Sequence, residues 1–255
     1  MKFGRLCINQ KKIIYKKLPE SPYTLEKLLE GIILPFDKPL YWTSFDLVNK
    51  VRKYLCRLNK IKKLKVGHAG TLDPLATGLL ILCTGKSTKK IMEIQGYAKE
   101  YIAEINLSAT TPSFDMETEI DKRYDTNHIN SELIKTHLKK FVGEISQVPP
   151  LFSAKNVNGK RAYELARLGI KKELNPSIVE IHNLEVLDFI NPILHLKINC
   201  SKGTYVRSLA RDIGLELGSG GYLSSLRRTA IGHYSIDSAI ITNNFISEIN
   251  YCNKF

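Results

Sequence analysis

The sequence is poor in cysteine, and its cysteines are far apart. Five occur among 255 residues, and none lies within four residues of another. This spacing excludes a zinc finger or a CxxC redox site, because both require closely spaced cysteine pairs. An odd number of cysteines without a secretion signal is typical of reduced thiols in a cytoplasmic protein.

Long apolar runs are also missing. One of the longest, residues 79–83, is far too short to span a membrane, and residues 1–5 lack the apolar run that a signal peptide needs. The sequence therefore predicts a cytoplasmic protein that does not enter a membrane.

Cofactor-binding motifs are missing as well. Gly85-Lys86-Ser87 resembles the end of a P-loop, but that motif requires a glycine where this chain has Leu80. A Rossmann glycine fingerprint is absent too, so neither ATP binding nor hydride transfer is indicated. We expect no cofactor and no metal.

Basic residues, in contrast, are abundant. Lysine and arginine total 38 against 25 acidic residues, which gives a formal net charge of +13 and an isoelectric point near 9.4. Such an excess favours polyanionic partners and makes their binding sensitive to salt. Residues 57–65 are especially basic. This segment is either a solvated loop or a phosphate contact.

The apolar pattern divides the chain into an N-terminal arm (1–30), a globular domain (31–236) and a short C-terminal tail (237–255). Predicted helices and strands are mixed without regular βαβ order, which favours an α+β fold with a mainly antiparallel sheet. Helices are predicted at 44–57, 86–94, from 130 or 131, at 159–168 and at 204–217, and strands at 32–36, 78–84, 101–107, 177–190 and 195–201.

Residues 67–78, Gly-His-Ala-Gly-Thr-Leu-Asp-Pro-Leu-Ala-Thr-Gly, form the densest motif. Three glycines and a proline in twelve residues predict a tightly shaped loop that another group approaches closely. Asp73 is its only acid. Asp73 is either a functional carboxylate or a cap of the next turn, and His68 alone is more typical of a structural histidine.

This motif resembles the catalytic segment of TruB-type pseudouridine synthases. Further segments resemble that family in the same order, at residues 37–44, 99–101, 149–163, 200–207 and 226–228. The resemblance covers roughly residues 31–236. It implies a pseudouridine synthase fold and the isomerisation of the T-loop uridine of tRNA, position 55 in conventional tRNA numbering. It also implies a chain that needs no guide RNA and acts as a monomer on the T arm.

The resemblance assigns roles to six residues. It implies that Asp73 is the catalytic carboxylate, acting as nucleophile or as base. It implies that Tyr101 packs against the target base and that Arg207 pairs with Asp73. Tyr205 and Leu226 correspond to pocket walls, and His68 corresponds to a residue that holds the flipped-out RNA loop.

The sequence departs from the family in two places. The family usually has a glycine where this chain has Thr118, which weakens the assignment of an RNA contact to the nearby Asp115. Residues 237–255 are too few for the C-terminal PUA-type RNA-binding domain of many members, so we expect no such domain. Two alternatives remain: a non-catalytic chaperone that refolds tRNA, and a catalytic subunit guided by a separate RNA.

The basic excess generates a first prediction. Affinity for tRNA should fall log-linearly with salt concentration, with a slope of about 0.9 for each phosphate contact. If residues 57–65 contact phosphates, replacing Lys60, Lys62, Lys63 and Lys65 by glutamate should lower the affinity and flatten this slope. Binding titrations at several salt concentrations measure both quantities. Unchanged affinity would assign the segment to a solvated loop.

Overall fold

The computed structural model describes residues 24–242 and residue 245, apart from residues 154, 158, 163, 165–167, 169 and 171–173. Its α-helices are α1 (Leu25–Glu30), α2 (Ser44–Leu58), α3 (Ile91–Gly96), α4 (Ser131–Leu138) and α5 (Val206–Glu216). Its strands are β1 (Ile33–Lys38), β2 (Val66–His68), β3 (Ala76–Thr84), β4 (Lys99–Asn106), β5 (Ala109–Thr110), β6 (Lys122–Arg123), β7 (Gly143–Gln147), β8 (Asn156–Val157), β9 (Lys160–Arg161), β10 (Ser177–Ile190), β11 (Ile193–Cys200), β12 (Tyr222–Ile231), β13 (Tyr234–Ser235) and β14 (Ile240–Ile241).

One large sheet organises the described residues. Its strands follow the order β14-β1-β3-β12-β4-β11-β10-β7, and β2 and β13 pair with β3 and β12. The β3–β12 and β1–β14 pairs are parallel, whereas the other pairs of this sheet are antiparallel. The predicted α+β class with a mainly antiparallel sheet is therefore confirmed.

The two best-predicted helices form for the expected reasons. Thr43 and Asp46 build a reciprocal capping box at the start of α2, with the Asp46 backbone donating to Thr43 at 3.0 Å and the Thr43 backbone donating to Asp46 at 2.9 Å. Helix α5 is followed by Gly218 at φ +69°, the left-handed position that glycine adopts without strain.

Helices cover the sheet and bury its apolar side chains. Leu209 and Ile213 of α5 and Ile134 of α4 pack on one face, together with Ala103 and Ile105 of β4. At the other end of the sheet, α2 packs its apolar side against β1 and β3 in a separate cluster. The strands between these clusters hold the residues of the site described below.

The end of the predicted arm is part of this structure, whereas residues 1–23 lie outside the described residues. Leu28 of α1 is completely buried, and its carbonyl accepts a hydrogen bond from the Thr84 hydroxyl at 2.9 Å. The same hydroxyl accepts the Ile32 backbone N–H at 3.0 Å. The ordered domain thus begins before Gly31, because α1 fills an apolar space beside β3.

The start of the predicted tail is likewise attached to the domain. β14 pairs with β1, and the Thr242 hydroxyl donates to the carbonyl of Asp37 at 2.6 Å. The Phe245 ring is buried and makes edge-to-face contacts with Phe36 and Tyr54, at centroid distances of 5.1 and 4.7 Å. These contacts make the first residues of the tail part of the core.

Three further segments differ from the sequence prediction. Residues 86–94 form a 3-10 helix, Gly85–Lys90, that continues into α3. The predicted helix at 159–168 begins as strand β9, whereas Ala162 and Glu164 are helical as predicted, and several of its other residues lie outside the described residues. Strand β12 was not predicted. Within the described parts of the chain, no helix has the length and apolar character needed to cross a membrane.

Gly78 generates a prediction about the parallel contact between β3 and β12. Its φ is +103°, and a Cβ atom placed there would lie 2.2 Å from the carbonyl oxygen of Arg228. Gly78→Ala should lower the free energy of unfolding by at least about 2 kcal/mol, because left-handed strain and overpacking add together. Urea unfolding measures this loss.

Gly96→Ala is the matched control. A Cβ atom at Gly96 would meet no atom within 4 Å, so this variant should unfold at the same urea concentration as the wild type or at a slightly higher one. Equal stability of the two alanine variants would show that the strands can separate at Gly78 without cost.

Candidate active site

The loop that carries Asp73 joins β2 to β3. β2 pairs with β3, so the two ends of the loop are fixed next to each other. Gly70 adopts φ +101°, which allows the backbone to turn sharply before Asp73. The Asp73 side chain keeps 40% of its surface exposed, so the carboxylate is accessible from the cavities that it borders.

Arg228 holds the inner side of this loop. It is 1% exposed, and its guanidinium donates to the carbonyl oxygens of Leu79, Gly70 and Thr71 at 2.7, 3.0 and 3.3 Å. A planar guanidinium offers donors in fixed directions, so three contacts determine the path of the backbone. Arg228 lies on β12, the strand next to β3, and from there it determines the shape of the loop.

Lys38 and Ser44 hold the other side of the loop. The completely buried Lys38 ammonium donates to the carbonyls of Pro39, Trp42 and Pro74 at 2.9, 2.6 and 3.5 Å. The Ser44 hydroxyl donates to the Leu72 carbonyl at 3.1 Å and accepts the Leu72 backbone N–H at 2.9 Å. These bonds tie the motif at residues 37–44 to the residues on both sides of Asp73.

Burial has a large electrostatic effect on Lys38. Desolvation lowers the pKa of its ammonium to about 8, and the nearby Asp73 carboxylate opposes this shift. Lys99 shows the same behaviour: burial lowers its pKa to about 8, while its ammonium donates to the Gln95 and Tyr97 carbonyls at 2.5 and 2.6 Å. Two weakly solvated cations thus lie close to the loop.

Arg207 connects two carboxylates at the start of α5. Its Nε lies 2.9 Å from Asp73 Oδ2 and 3.6 Å from Asp115 Oδ2, and its Nη1 donates to the Ser113 carbonyl at 3.3 Å. The Arg207 and Asp115 side chains are almost completely buried. The buried partners fix the position of the more exposed Asp73 carboxylate.

Asp73 and Arg207 lie in a wall between two adjoining cavities. A cavity of about 630 Å³ is bordered by Tyr101, Tyr205 and Leu226, and its basic lining residues are Lys99, Lys202, Arg207 and Arg228. A second cavity of about 230 Å³ has a mainly apolar lining that includes Leu75, Leu223 and Leu226. Asp73, Arg207 and Leu226 border both cavities.

Five of the six residues singled out in the sequence meet here. Tyr101 is nearly buried on β4, and burial raises the pKa of this phenol, while the nearby Arg228 guanidinium opposes the shift. Tyr205 precedes α5, and its backbone N–H donates to Gln147 at 2.8 Å. The larger cavity thus combines an aromatic face, an apolar face and a carboxylate.

His68 is the exception. It lies on β2 and borders neither cavity, and its buried Nδ1 has no hydrogen-bond partner among the described residues. Burial lowers the pKa of His68, and the Arg228 guanidinium adds to this effect. The structure therefore places His68 on β2, paired with β3, and outside the lining of both cavities.

The sequence did not reveal the structural roles of Lys38, Lys99 and Arg228. It also left the role of Asp115 in RNA contact weakly supported. Asp115 is 6% exposed and contacts Arg207. Thr118, which replaces the usual glycine, accepts the Ser113 backbone N–H at 3.1 Å and supports the same turn. The only sequence signal for the buried cations was their position inside the family segments.

The basic segment 57–65 precedes β2 and lies near the Thr84 end of β3, which is the end away from Asp73. Lys60, Lys62, Lys63 and Lys65 are exposed, and the Lys65 carbonyl accepts the Gly85 backbone N–H at 3.0 Å. This bond brings the segment next to the 3-10 helix Gly85–Lys90, which contributes three more lysines. A basic surface therefore continues along this edge of the molecule.

Two family models match the chain. The model described as "TruB family pseudouridylate synthase (N terminal domain)" matches residues 57–206, and the model described as "tRNA pseudouridylate synthase B C-terminal domain" matches residues 207–254. Their boundary falls at the start of α5, between Val206 and Arg207. Asp73 lies in the first match and Arg207 in the second, so residues of both form the site.

Individual proteins and one solved structure are also similar to this chain. The tRNA pseudouridine synthase B of Parabacteroides distasonis is 58% identical over 209 residues, which are 82% of this chain and 89% of that protein. The protein of the same name from Phocaeicola vulgatus is 53% identical over 216 residues, 85% of this chain and 92% of that one. A solved structure of an H/ACA RNP bound to a substrate RNA containing 2′-deoxyuridine includes a chain with a shared fold, at a TM-score of 0.64 and 24% identity. That match covers 90% of this chain and 56% of the other.

The contacts of Arg228 generate a prediction about the loop. Arg228→Met removes one buried and two partly buried hydrogen bonds to carbonyl groups, and the loss of a buried one costs about 1–3 kcal/mol, so the free energy of unfolding should fall by at least about 2 kcal/mol. The free energy of unfolding of Arg228→Lys should lie between those of Arg228→Met and the wild type, because one ammonium group cannot reproduce the planar set of donors of a guanidinium. Urea unfolding measures both changes.

The neighbouring Arg227 provides the matched control. It is 40% exposed and pairs with Asp37 at 2.7 Å, so Arg227→Met should cost about 1 kcal/mol or less. If the two methionine variants were equally stable, Arg228 would not be the residue that holds the loop.

Proposed function

Because the chain belongs to the TruB family of pseudouridylate synthases, as its motifs indicated, we propose that it isomerises the T-loop uridine of tRNA, position 55 in conventional tRNA numbering, to pseudouridine. The predicted pseudouridine synthase fold is confirmed. The observation that carries the proposal is the Asp73–Arg207 ion pair, in which a buried arginine presents a half-exposed carboxylate to a cavity bordered by an aromatic ring.

We propose Asp73 as the catalytic carboxylate. In this isomerisation the bond between N1 of uracil and C1′ of the ribose breaks, the base rotates, and a bond from C5 to C1′ forms, while C5 loses its proton and N1 gains one. The product has the same atoms as the substrate. A carboxylate can attack the sugar as a nucleophile or remove a proton from it as a base. Either role needs an accessible oxygen, which the exposure of Asp73 supplies.

The larger cavity is our proposed binding site for the target uracil. Extruding a base from its stack costs a few kcal/mol, and stacking on an aromatic ring recovers about 1–3 kcal/mol. Tyr101 would supply that ring, and Leu226 and Tyr205 would form the other walls. The role of His68 in holding the flipped RNA loop rests on the family resemblance, since His68 borders neither cavity.

The surroundings support a tRNA partner. Lys202 borders the larger cavity and is exposed, so it can bind a phosphate next to the target nucleotide. Every residue that lines the two cavities falls between Leu40 and Arg228, within the proposed catalytic domain 31–236. We propose that the chain acts in the cytoplasm as a monomer on the T arm, without a guide RNA.

The decisive prediction concerns Asp73→Asn. This variant keeps the size of the side chain but removes the reactive oxygen, so pseudouridine formation should fall by at least ~10³-fold, as expected for a positioned acid–base or nucleophilic group. Binding of tRNA should stay near the wild-type value, because phosphate contacts and stacking on Tyr101 remain. The measurement is chemical mapping of pseudouridine after unmodified tRNA is incubated with the purified chain alone.

Asp188→Asn, at an exposed aspartate of β10, is the control and should be fully active. Asparagine also caps turns well, so a role of Asp73 as a cap alone predicts near-normal turnover by Asp73→Asn. Such turnover would contradict the proposed catalytic role. A wild-type chain that refolds tRNA but forms no pseudouridine would favour the chaperone alternative.

A further inference from the structure

Tyr41 is an aromatic residue held in a strained position at the mouth of the site. Its φ is +66°, a left-handed conformation that costs a non-glycine residue about 1–2 kcal/mol. Its backbone N–H donates to the Pro74 carbonyl at 2.8 Å, next to Asp73. The side chain is 75% exposed, so burial of the ring does not offset the strain. Strained residues of this kind concentrate where proteins contact ligands.

Tyr41 borders the smaller cavity together with other apolar side chains. Leu40 and Met116 are also exposed, at 43% and 61%, whereas Leu75, Leu223 and Leu226 line the cavity more deeply. Three large apolar side chains therefore surround one opening. A cluster of this kind is typical of a binding surface, whereas single exposed apolar residues need no explanation.

The polar groups of this cavity restrict what it can bind. Its polar and charged lining residues are Asp73, Asp115, Arg207, Ser224 and Ser225, which supply both hydrogen-bond acceptors and donors. The occupant therefore needs flat apolar faces and a polar edge that can form hydrogen bonds. A nucleobase has both features, because every base has a π-face and its edges carry N–H groups.

The position of the cavity identifies the source of that base. Asp73, Arg207 and Leu226 form the wall shared with the cavity proposed for the target uracil. Because the cavities share this wall, one RNA strand can place a base on the Tyr101 side and its neighbouring base on the other side. Bases that are already unstacked in a loop are the ones available for such contacts.

We propose that the smaller cavity binds a second unpaired nucleobase of the substrate RNA, adjacent to the target uridine, and that Tyr41 is the ring on which this base stacks. This assignment rests on the proposed function. It makes Tyr41 a substrate-binding residue that captures the RNA loop in its opened form, on the side of Asp73 opposite Tyr101. Specificity for the loop then depends on two bases.

Two substitutions at Tyr41 distinguish the contribution of the aromatic ring from that of the strained backbone conformation. Tyr41→Gly removes the ring and is compatible with φ +66°, so this variant should be at least as heat-stable as the wild type. It should bind a synthetic T-arm stem–loop about 5- to 150-fold more weakly, the range that corresponds to a lost base–aromatic stack of about 1–3 kcal/mol. Tyr41→Phe keeps the ring and should bind like the wild type.

Phe45→Ala is the matched control, because Phe45 is 61% exposed and does not border the cavity. Its affinity for the stem–loop should be unchanged. A second measurement locates the base: 2-aminopurine, placed on either side of the target uridine, should be quenched by wild-type protein at one of the two positions. Tyr41→Gly should lose that quenching, and Tyr41→Phe should keep it.

The binding measurements are made in an Asp73→Asn background as well as in the active protein, so that they do not depend on turnover. Wild-type affinity of Tyr41→Gly, or quenching that survives in this variant, overturns the assignment of Tyr41 even if the enzyme is active. Failure of the wild type to form pseudouridine contradicts the proposed function instead. Equal losses of affinity in Tyr41→Gly and Phe45→Ala would also overturn the assignment.

Discussion

The site depends on one physical requirement: the carbonyl groups of the tight loop around Asp73 point inward and need donors. Two buried cations meet it from opposite sides, Arg228 through Gly70, Thr71 and Leu79, and Lys38 through Pro74 and its own neighbours. Burying either cation without these acceptors would be prohibitive, and burying the carbonyls without the cations would also be costly. Loop and cations therefore stabilise each other, and the position of Asp73 follows from both.

The same arrangement explains the uneven exposure of the charges. Arg207, Arg228 and Lys38 are buried, whereas Asp73, which they surround, keeps contact with both cavities. Asp115 contacts the same Nε atom of Arg207 as Asp73 does, at 3.6 Å, so the two carboxylates share one buried cation. The Asp73 carboxylate can thus face the cavities while buried side chains hold its orientation, and a fixed arrangement of this kind is what preorganised catalysis requires.

Much of the fold and most of the site could be predicted from sequence. Helix α2 was visible because a capping box and an apolar period coincide at Thr43, and α5 because Gly218 marks its end. Strand β12 was missed because Ser224, Ser225, Arg227 and Arg228 interrupt its apolar alternation, and this pattern serves the site rather than the core. Lys38 and Arg228 were not recognised as structural because lysine and arginine are normally solvated, and only the tertiary structure reveals their buried acceptors. The burial of α1 could not be predicted either, because it depends on a contact with Thr84, which is distant in sequence.

The separation of Arg228 from its acceptors has a consequence for how the protein is made. Its three hydrogen bonds span 149 to 158 residues, so the Asp73 loop cannot reach its final shape until β12 has left the ribosome. Contacts of such large sequence separation form late, because the chain between them must first be ordered. A nascent chain that already exposes its basic segment 57–65 therefore lacks a competent site. The ability to attract polyanions is acquired early in synthesis, and reactivity is acquired near its end.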